Sequence, residues 1–374
     1  MITRHHWRAL IAINVIVIVV SAAVKSTDVG STPYAHLLID YHHFGFVKRA
    51  LVGEIVSLFM DKVPLSMVLW LGGSVIAITI ALYVKLFKDT FGFSEASLPL
   101  FVFTAGSPFF IKNFVKTIGY FDIYGCILAL IMLLIPARSM VYIAFGLTGS
   151  ILLVLTHQIH MLLYIPTIAA IAIIRRFLIH SATRTEAAVS AALAMSVPAI
   201  FLYMQFAGGI HDTQAQFDAY LLSRTADTMA TSEDFSSHYW MWTGTMSGEM
   251  ARTWSVMDLN LSRFWYYALL IALHAPLIGF FRASIHAINS PNHRRIVLAM
   301  LVAITLGYGI IFATVFDYAR WVAAWGVCMI LMLHAVRQLP GAAGAPLIAA
   351  DNNRNFALAS ILTLIPRIGI TRPF

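Results

Sequence analysis

Four polar clusters interrupt an otherwise apolar chain, and each carries groups able to grip phosphate or move a proton. Asp40-Tyr41-His42-His43 runs into the basic pair Lys48-Arg49. Lys112, Asn113, Lys116 and Asp122 follow between two hydrophobic runs, as does His157-Gln158-Ile159-His160, and Asp317-Tyr318-Ala319-Arg320-Trp321 opens a late one. A carboxylate held at a membrane surface can take a proton from an acceptor hydroxyl, which makes Asp40 and the earlier Asp28 the candidate bases. The alternative for either is a solvated loop or helix-cap aspartate. Arginine offers phosphate a planar two-pronged fork, so Arg320, Arg49 and Lys48 are candidate phosphate contacts, with headgroup binding the alternative for the basic pair. Asp122 stands where a helix N-terminus favours an anion by ~0.3–1 kcal/mol, so capping competes with a site role. His157 and His160, three apart, share a helical face and suit hydrogen bonding or substrate contact. Metal binding or proton shuttling is the alternative, but two histidines without a matching carboxylate motif are a weak metal signal, so neither metal nor cofactor is expected.

The elements that position these groups are membrane spans. Hydrophobic residues make up 60% of the 374-residue chain and charged ones only 11%, with a mean hydropathy of +0.80, far from soluble usage. A bilayer core needs about 20 apolar residues per helix. That rule places spans near 7–24, 65–87, 97–111, 120–136, 139–156, 159–174, 186–207, 263–281, 296–315 and 319–336. The third is short and interrupted at Gly106-Ser107-Pro108, and the tail 355–366 is expected against the interface. The fold class is therefore all-α, a polytopic bundle of about ten transmembrane helices forming a single transmembrane domain over residues 1–374.

Lysine and arginine favour cytoplasmic loops. With the N-terminus in the cytoplasm, Lys85, Lys88, Arg138, Arg175, Arg176, Arg282, Arg294, Arg295 and Arg337 all face that side. These loops account for most of the net charge of +8, and no dense basic stripe marks a nucleic-acid partner. Cys126 and Cys328 both fall inside apolar runs and read as free buried thiols. All four polar clusters then lie at the outer face. So do two long loops, 25–64 and 208–262. In the first, residues 44–59 read as an amphipathic interfacial helix, with Lys48, Arg49 and Glu54 toward water or substrate. The second carries His238, Tyr239, Trp240, Trp242, Glu249, Arg252 and Trp254, a composition suited to an ordered surface loop. Titratable groups are nearly absent from the span centres, His274 excepted, which favours interfacial chemistry over ion-coupled transport.

This architecture resembles the GT-C superfamily of membrane glycosyltransferases and the related Wzy-type polysaccharide polymerases of bacteria. The features that carry the resemblance are the first helix, an acidic outer loop with an interfacial helix, the Gly119-x-x-Asp122 helix entry and the Asp317-x-x-Arg320-Trp321 element. The chain departs from many such enzymes in lacking an Asp-Asp or Asp-Glu pair in the first loop. The resemblance implies a sugar or oligosaccharide donor on a polyprenyl phosphate or pyrophosphate, a glycan acceptor, and an active face in the periplasm at a bacterial inner membrane. It makes Asp40 or Asp28 the base. Lys48, Arg49, Lys116, Asp122, His157, His160, Asp317 and Arg320 become substrate contacts, and Trp240 and Trp242 stack on sugar rings. Membrane lipid and polysaccharide-assembly proteins are the further partners it implies. A flippase for a lipid-linked glycan and a membrane O-acyltransferase using His157 or His160 are the alternatives.

Overall fold

The computed structural model describes residues 4–365 apart from Thr228, Arg263, Phe316, Ile348 and Ala349. Every regular element among them is helical. The chain opens with α1 (Arg4–Ser26), then the short helices α2 (Ser31–Leu38), α3 (Tyr41–Phe44) and α4 (Leu51–Ser57), then the long α5 (Ser66–Phe91). Next come α6 (Leu98–Gly106), α7 (Ile111–Lys116), α8 (Asp122–Leu134), α9 (Met140–Thr156), α10 (His160–Leu163) and α11 (Ile165–Ala172), the last running into a π-helical turn at Ile173–Ile179. After α12 (Arg184–Ala194) and α13 (Ser196–Ala207) lies a group of short helices: α14 (Gln214–Arg224), α15 (Ser232–Ser236), α16 (Trp240–Thr243), α17 (Met246–Ser255) and α18 (Met257–Ser262). The chain closes with α19 (Phe264–Leu273), α20 (Ala275–His286), α21 (Pro291–Thr314), α22 (Tyr318–Val336) and α23 (Ala350–Leu362).

Among the described residues six helices are long and apolar enough to cross a membrane: Arg4–Ser26, Ser66–Phe91, Leu98–Lys116, Arg184–Ala207, Pro291–Thr314 and Tyr318–Val336. The pair Phe264–Leu273 and Ala275–His286 makes a seventh if its 55° bend is taken within one span. Asp122–Leu134 and Met140–Thr156 are apolar but shorter. The outward faces carry the side chains expected of lipid contact, such as Ile16, Val19 and Val20 on α1 and Val302, Leu306 and Ile310 on α21. The inward faces meet in one large core, in which α22 lies almost wholly buried.

Local sequence starts and stops these helices. Ser290 caps α21, its hydroxyl accepting the His293 N–H, and Pro291 fills a first-turn position whose missing N–H costs nothing. Gly92, at φ 66°, ends α5 in the left-handed region. The interruption expected at Gly106-Ser107-Pro108 separates α6 from α7, and the bend between α19 and α20 faces it. There the Phe109 N–H donates to Ser107 Oγ at 3.1 Å, and Ser107 and His274 Nε2 lie 2.8 Å apart. His274 Nδ1 donates in turn to the Leu270 carbonyl at 2.7 Å. Each break thus meets a backbone group of its own with a side chain, and the two side chains join the breaks to each other. The tail expected at the interface is helical. Helix α23 packs along α6 and α20, with Phe356 fully buried against Phe103 and the Lys112 ammonium donating to the Thr363 carbonyl at 3.0 Å. Pro366, the last residue of that expectation, lies outside the described residues. Cys126 and Cys328 are buried free thiols.

The two long loops fold together into a second, smaller core. Val63 and Thr225 pair as an isolated bridge, the Lys48 N–H donates to the Gly208 carbonyl at 2.9 Å, and the Tyr34 hydroxyl donates to the Val63 carbonyl at 2.5 Å. The segment 44–59 is not one amphipathic helix. It breaks at Gly45, whose φ is 71°, and at Arg49, whose φ is 63°. Phe46, Ile55, Leu58 and Phe59 are exposed as expected, but Lys48 is buried at 2% exposure and Glu54 accepts the Tyr41 N–H at 2.8 Å. The kink at Arg49 swings the basic pair inward, which a continuous helix would have left outside.

Gly119 aims the start of α8. Its φ is 85°, and a Cβ there would meet Val68 at 2.4 Å and Pro33 at 2.9 Å. Gly119→Ala is therefore expected to destabilise the protein by ~1–3 kcal/mol. Gly73→Ala, in open space on α5, should leave stability equal or slightly raised. Thermal unfolding of both variants in detergent checks the contrast.

Candidate functional site

Arg320, in the first turn of α22, is the centre of a buried charge cluster. Its Nε and Nη2 donate to Oδ2 of Asp122 at 2.9 and 2.5 Å, and its Nη1 donates to Oδ2 of Asp317 at 3.3 Å. The guanidinium also lies over the rings of Tyr120 and Trp321, 4.4 and 4.9 Å from their centroids, a favourable placement for a cation. Asp122 and Asp317 are each buried, and the Oδ1 of each has no hydrogen-bond partner among the described residues. Burial pushes Asp317 above the ordinary carboxylate range while Arg320 pulls it back. Removing one member of such a cluster strands an unpaired charge at a cost of about 3–5 kcal/mol.

Arg320 and Asp317 form one side of a cleft of about 220 Å³. The helix ends that meet there are the starts of α10 and α22, the finishes of α9, α13 and α21, and the approach to α8. The opposite helix ends meet elsewhere. Arg175 reaches the carbonyls of Met132 and Ile135 at the finish of α8, Arg176 pairs with Glu186 at 2.6 Å, and His334 lies 3.0 Å from Thr90. The cleft therefore occupies one end of the bundle, beneath the layer built by the two loops.

That layer supplies the opposite wall. Arg49, held in the left-handed region, turns its side chain into the cleft and donates from Nε to Gln158 at 3.4 Å. A non-glycine residue there stores roughly 1–3 kcal/mol of strain that surrounding contacts must hold. Burial pushes the Arg49 guanidinium below its ordinary value, Glu249 draws it up, and Arg320 pushes it down. Among the described residues no carboxylate lies within ion-pair distance of Arg49. Glu249, from α17, also lines the cleft; its Oε1 is buried without a hydrogen bond and stands 3.9 Å from Lys48 Nζ. Lys48 donates to the Gly244 carbonyl at 2.8 Å, and burial pushes its amine down to about 8. Thr253, one turn after Glu249, donates to the Thr314 carbonyl at 2.9 Å and ties α17 to the finish of α21. His36 and His157 complete the polar lining, both pushed well below the ordinary imidazole range by burial and then by Arg49. Leu162, Phe201, Ile311 and Val315 give the cleft an apolar side.

The structure brings Arg49, His157, Asp317, Arg320 and Trp240 together around this cleft, with Asp122 behind Arg320 and Lys48 behind Glu249. The other candidates lie apart from it. Asp40 is buried as the cap of α3: it accepts the His43 N–H at 2.9 Å and the Tyr220 hydroxyl at 2.5 Å, with Arg224 at 3.6 Å. Asp28 is exposed beyond the end of α1. Lys116 ends α7, half-buried, outside the lining. His160 is fully buried and turned toward the Phe121 carbonyl at 3.2 Å. Trp242 is fully buried in the loop layer against Phe217 and His36. Two lining residues carry little signal in sequence. His36 sits within an unremarkable short helix, and Glu249 is one acidic residue among several in the second loop.

No family model, curated protein or solved structure matches this chain.

Lys48 offers a direct check on the burial of the basic pair. Its folded value, about 8, lies below the 10.5 of a free lysine, so the unfolded chain holds more protons between those limits. Folding stability that depends on Lys48 must then rise with pH across that window. The stability of wild type relative to Lys48→Gln is expected to increase from pH 8 to 10.5, as measured by thermal unfolding in nanodiscs. A difference flat in pH would place the amine in solvent.

Proposed function

We propose that this protein is a GT-C-type membrane transferase, moving a sugar from a polyprenyl-phosphate or pyrophosphate donor to an acceptor hydroxyl in the cleft. In this reading the shorter apolar helices also cross the bilayer, giving about ten crossings with the N-terminus in the cytoplasm. The cleft then opens on the periplasmic face of a bacterial inner membrane. The observation that carries the reading is Arg49, which among the described residues has no carboxylate within ion-pair distance, facing the same cleft as Glu249, whose Oε1 accepts no hydrogen bond there and lies 3.9 Å from Lys48 Nζ.

The chemistry divides among these groups. The acceptor oxygen bonds to the anomeric carbon as the carbon–oxygen bond to phosphate breaks, and the phosphate leaves with the electron pair. Arg49 stabilises the charge gathering on that phosphate. Glu249 takes the acceptor proton. Asp40 suits the base role less well, because Tyr220, His43 and Arg224 already engage its carboxylate. Arg320 acts as a positioning group, since its nitrogens are directed to Asp122 and Asp317. The apolar side formed by Phe201, Ile311 and Val315 suits the first isoprene units of a lipid carrier.

The test is turnover of a polyprenyl-linked glycan extract by the full chain in nanodiscs. Wild type should yield newly glycosylated or elongated product. Arg49→Met and Glu249→Gln, folded by thermal scan, should each lose about 100-fold or more in rate. Donor crossing the bilayer without any product would replace this reading with transport.

A further inference from the structure

His36 is the least accounted-for polar side chain at the cleft. It projects from α2 with 3% of its surface exposed, and neither ring nitrogen has a hydrogen-bond partner among the described residues. The ring is not free to turn away. Phe121 stacks on it at 4.9 Å, and Trp242 presents an edge at 5.4 Å. An imidazole always carries at least one N–H, and leaving a buried donor or acceptor unmet costs about 1–3 kcal/mol each. Such groups almost always have a partner, from the protein or from what the protein binds. His36 borders the cleft, so the partner comes from there.

His157, also on the cleft wall, points to the same kind of ligand. Its Nδ1 accepts the Ile159 N–H at 3.5 Å, so the ring proton sits on Nε2. That nitrogen has no hydrogen bond among the described residues and serves as a donor. Burial, and after it the nearby Arg49 and Arg320, disfavour a second proton on either ring. His36 thus offers one donor and one acceptor, and His157 offers one donor. A hydroxyl both gives and accepts a hydrogen bond, so it matches His36 on both counts. An ionised phosphate oxygen only accepts, and would leave one His36 nitrogen unmet. The charge of an anion is met instead by Arg49.

We propose that the cleft is divided into a hydroxyl-reading subsite built on the imidazoles of His36 and His157 and a separate charge-reading subsite at Arg49. The ligand is then one that carries neutral hydroxyls beside its anionic group, and a bare lipid phosphate fills only half of the cleft. This deepens the transferase reading and rests on it for the identity of the charged group, while the hydroxyl subsite rests on the two histidines alone.

Nitrogen NMR of the full chain in nanodiscs, with ring-labelled histidine and signals assigned through His36→Gln and His157→Gln, tests the division without any need for turnover. Glucose and dimethyl phosphate, an anionic phosphate with no P–OH group, serve as probes. Glucose is expected to move the His36 and His157 ring signals saturably, equally well in Arg49→Met. His36→Phe, which keeps the stack on Phe121, should weaken that binding about tenfold. Dimethyl phosphate should leave both rings unmoved and lose its own binding in Arg49→Met. Rings indifferent to both probes, with water as their only partner, overturn the proposal, as does a phosphate-induced shift to the doubly protonated ring. Product formation without a glucose shift overturns the subsite alone, and a glucose shift without product formation overturns the transferase reading alone.

Discussion

One guanidinium between two carboxylates holds the business end of this bundle together. Arg320 joins the start of α22 to Asp122 at the start of α8, 198 residues earlier, and to Asp317 within its own helix entry. Hydrogen bonds between charged partners are among the strongest the chain can make, yet burying the three charges is itself expensive. The arrangement is favourable only while all three are in place, so geometry and charge are fixed together. The wall on which Tyr120, Trp321 and Asp317 face the cleft follows from that constraint.

The other wall depends on a different device. Two loops far apart in sequence make a small core of their own, and through it α2, the Arg49 kink and α17 become fixed parts of the cleft rather than loose cover. Lys48 is the fastener. Its ammonium sits on the Gly244 carbonyl just ahead of α17 and near Glu249, while its own backbone is tied to Gly208. The strain at Arg49 is tolerated because the neighbouring residue is held so firmly. The two adjacent cations have opposite fates: one is spent on architecture, and the other is left facing open space.

Hydropathy in the sequence was enough to read the membrane character, the helical class and the break at Gly106-Ser107-Pro108, because these are local properties of short windows. The clusters around Asp122, His157 and Arg320 were legible too, as polar groups are conspicuous between apolar runs. Which members of each cluster face a common space was not legible. Asp40 opens an attractive motif, but its partners Tyr220 and Arg224 lie about as far away along the chain as Gly244 lies from Lys48. Such pairings leave no trace in a single sequence. His36 was passed over for another reason: nothing in its own short helix sets it apart, and only the packing of Phe121 and Trp242 around it gives it significance. Helix length was the weakest inference. The seventh apolar passage is bent by 55° at His274, and α8 and α9 are shorter than a full crossing.

The bond between Ser107 and His274 also has a bearing on how the protein is made. The two residues are 167 positions apart, so a ribosome delivers the first break to the membrane long before the second exists. Until α19 and α20 are synthesised, the Ser107 hydroxyl has no histidine to meet it. It must wait in contact with water or with the insertion machinery rather than with lipid. The first half of the chain is therefore unfinished at its own centre, and its completion is timed by the arrival of the last.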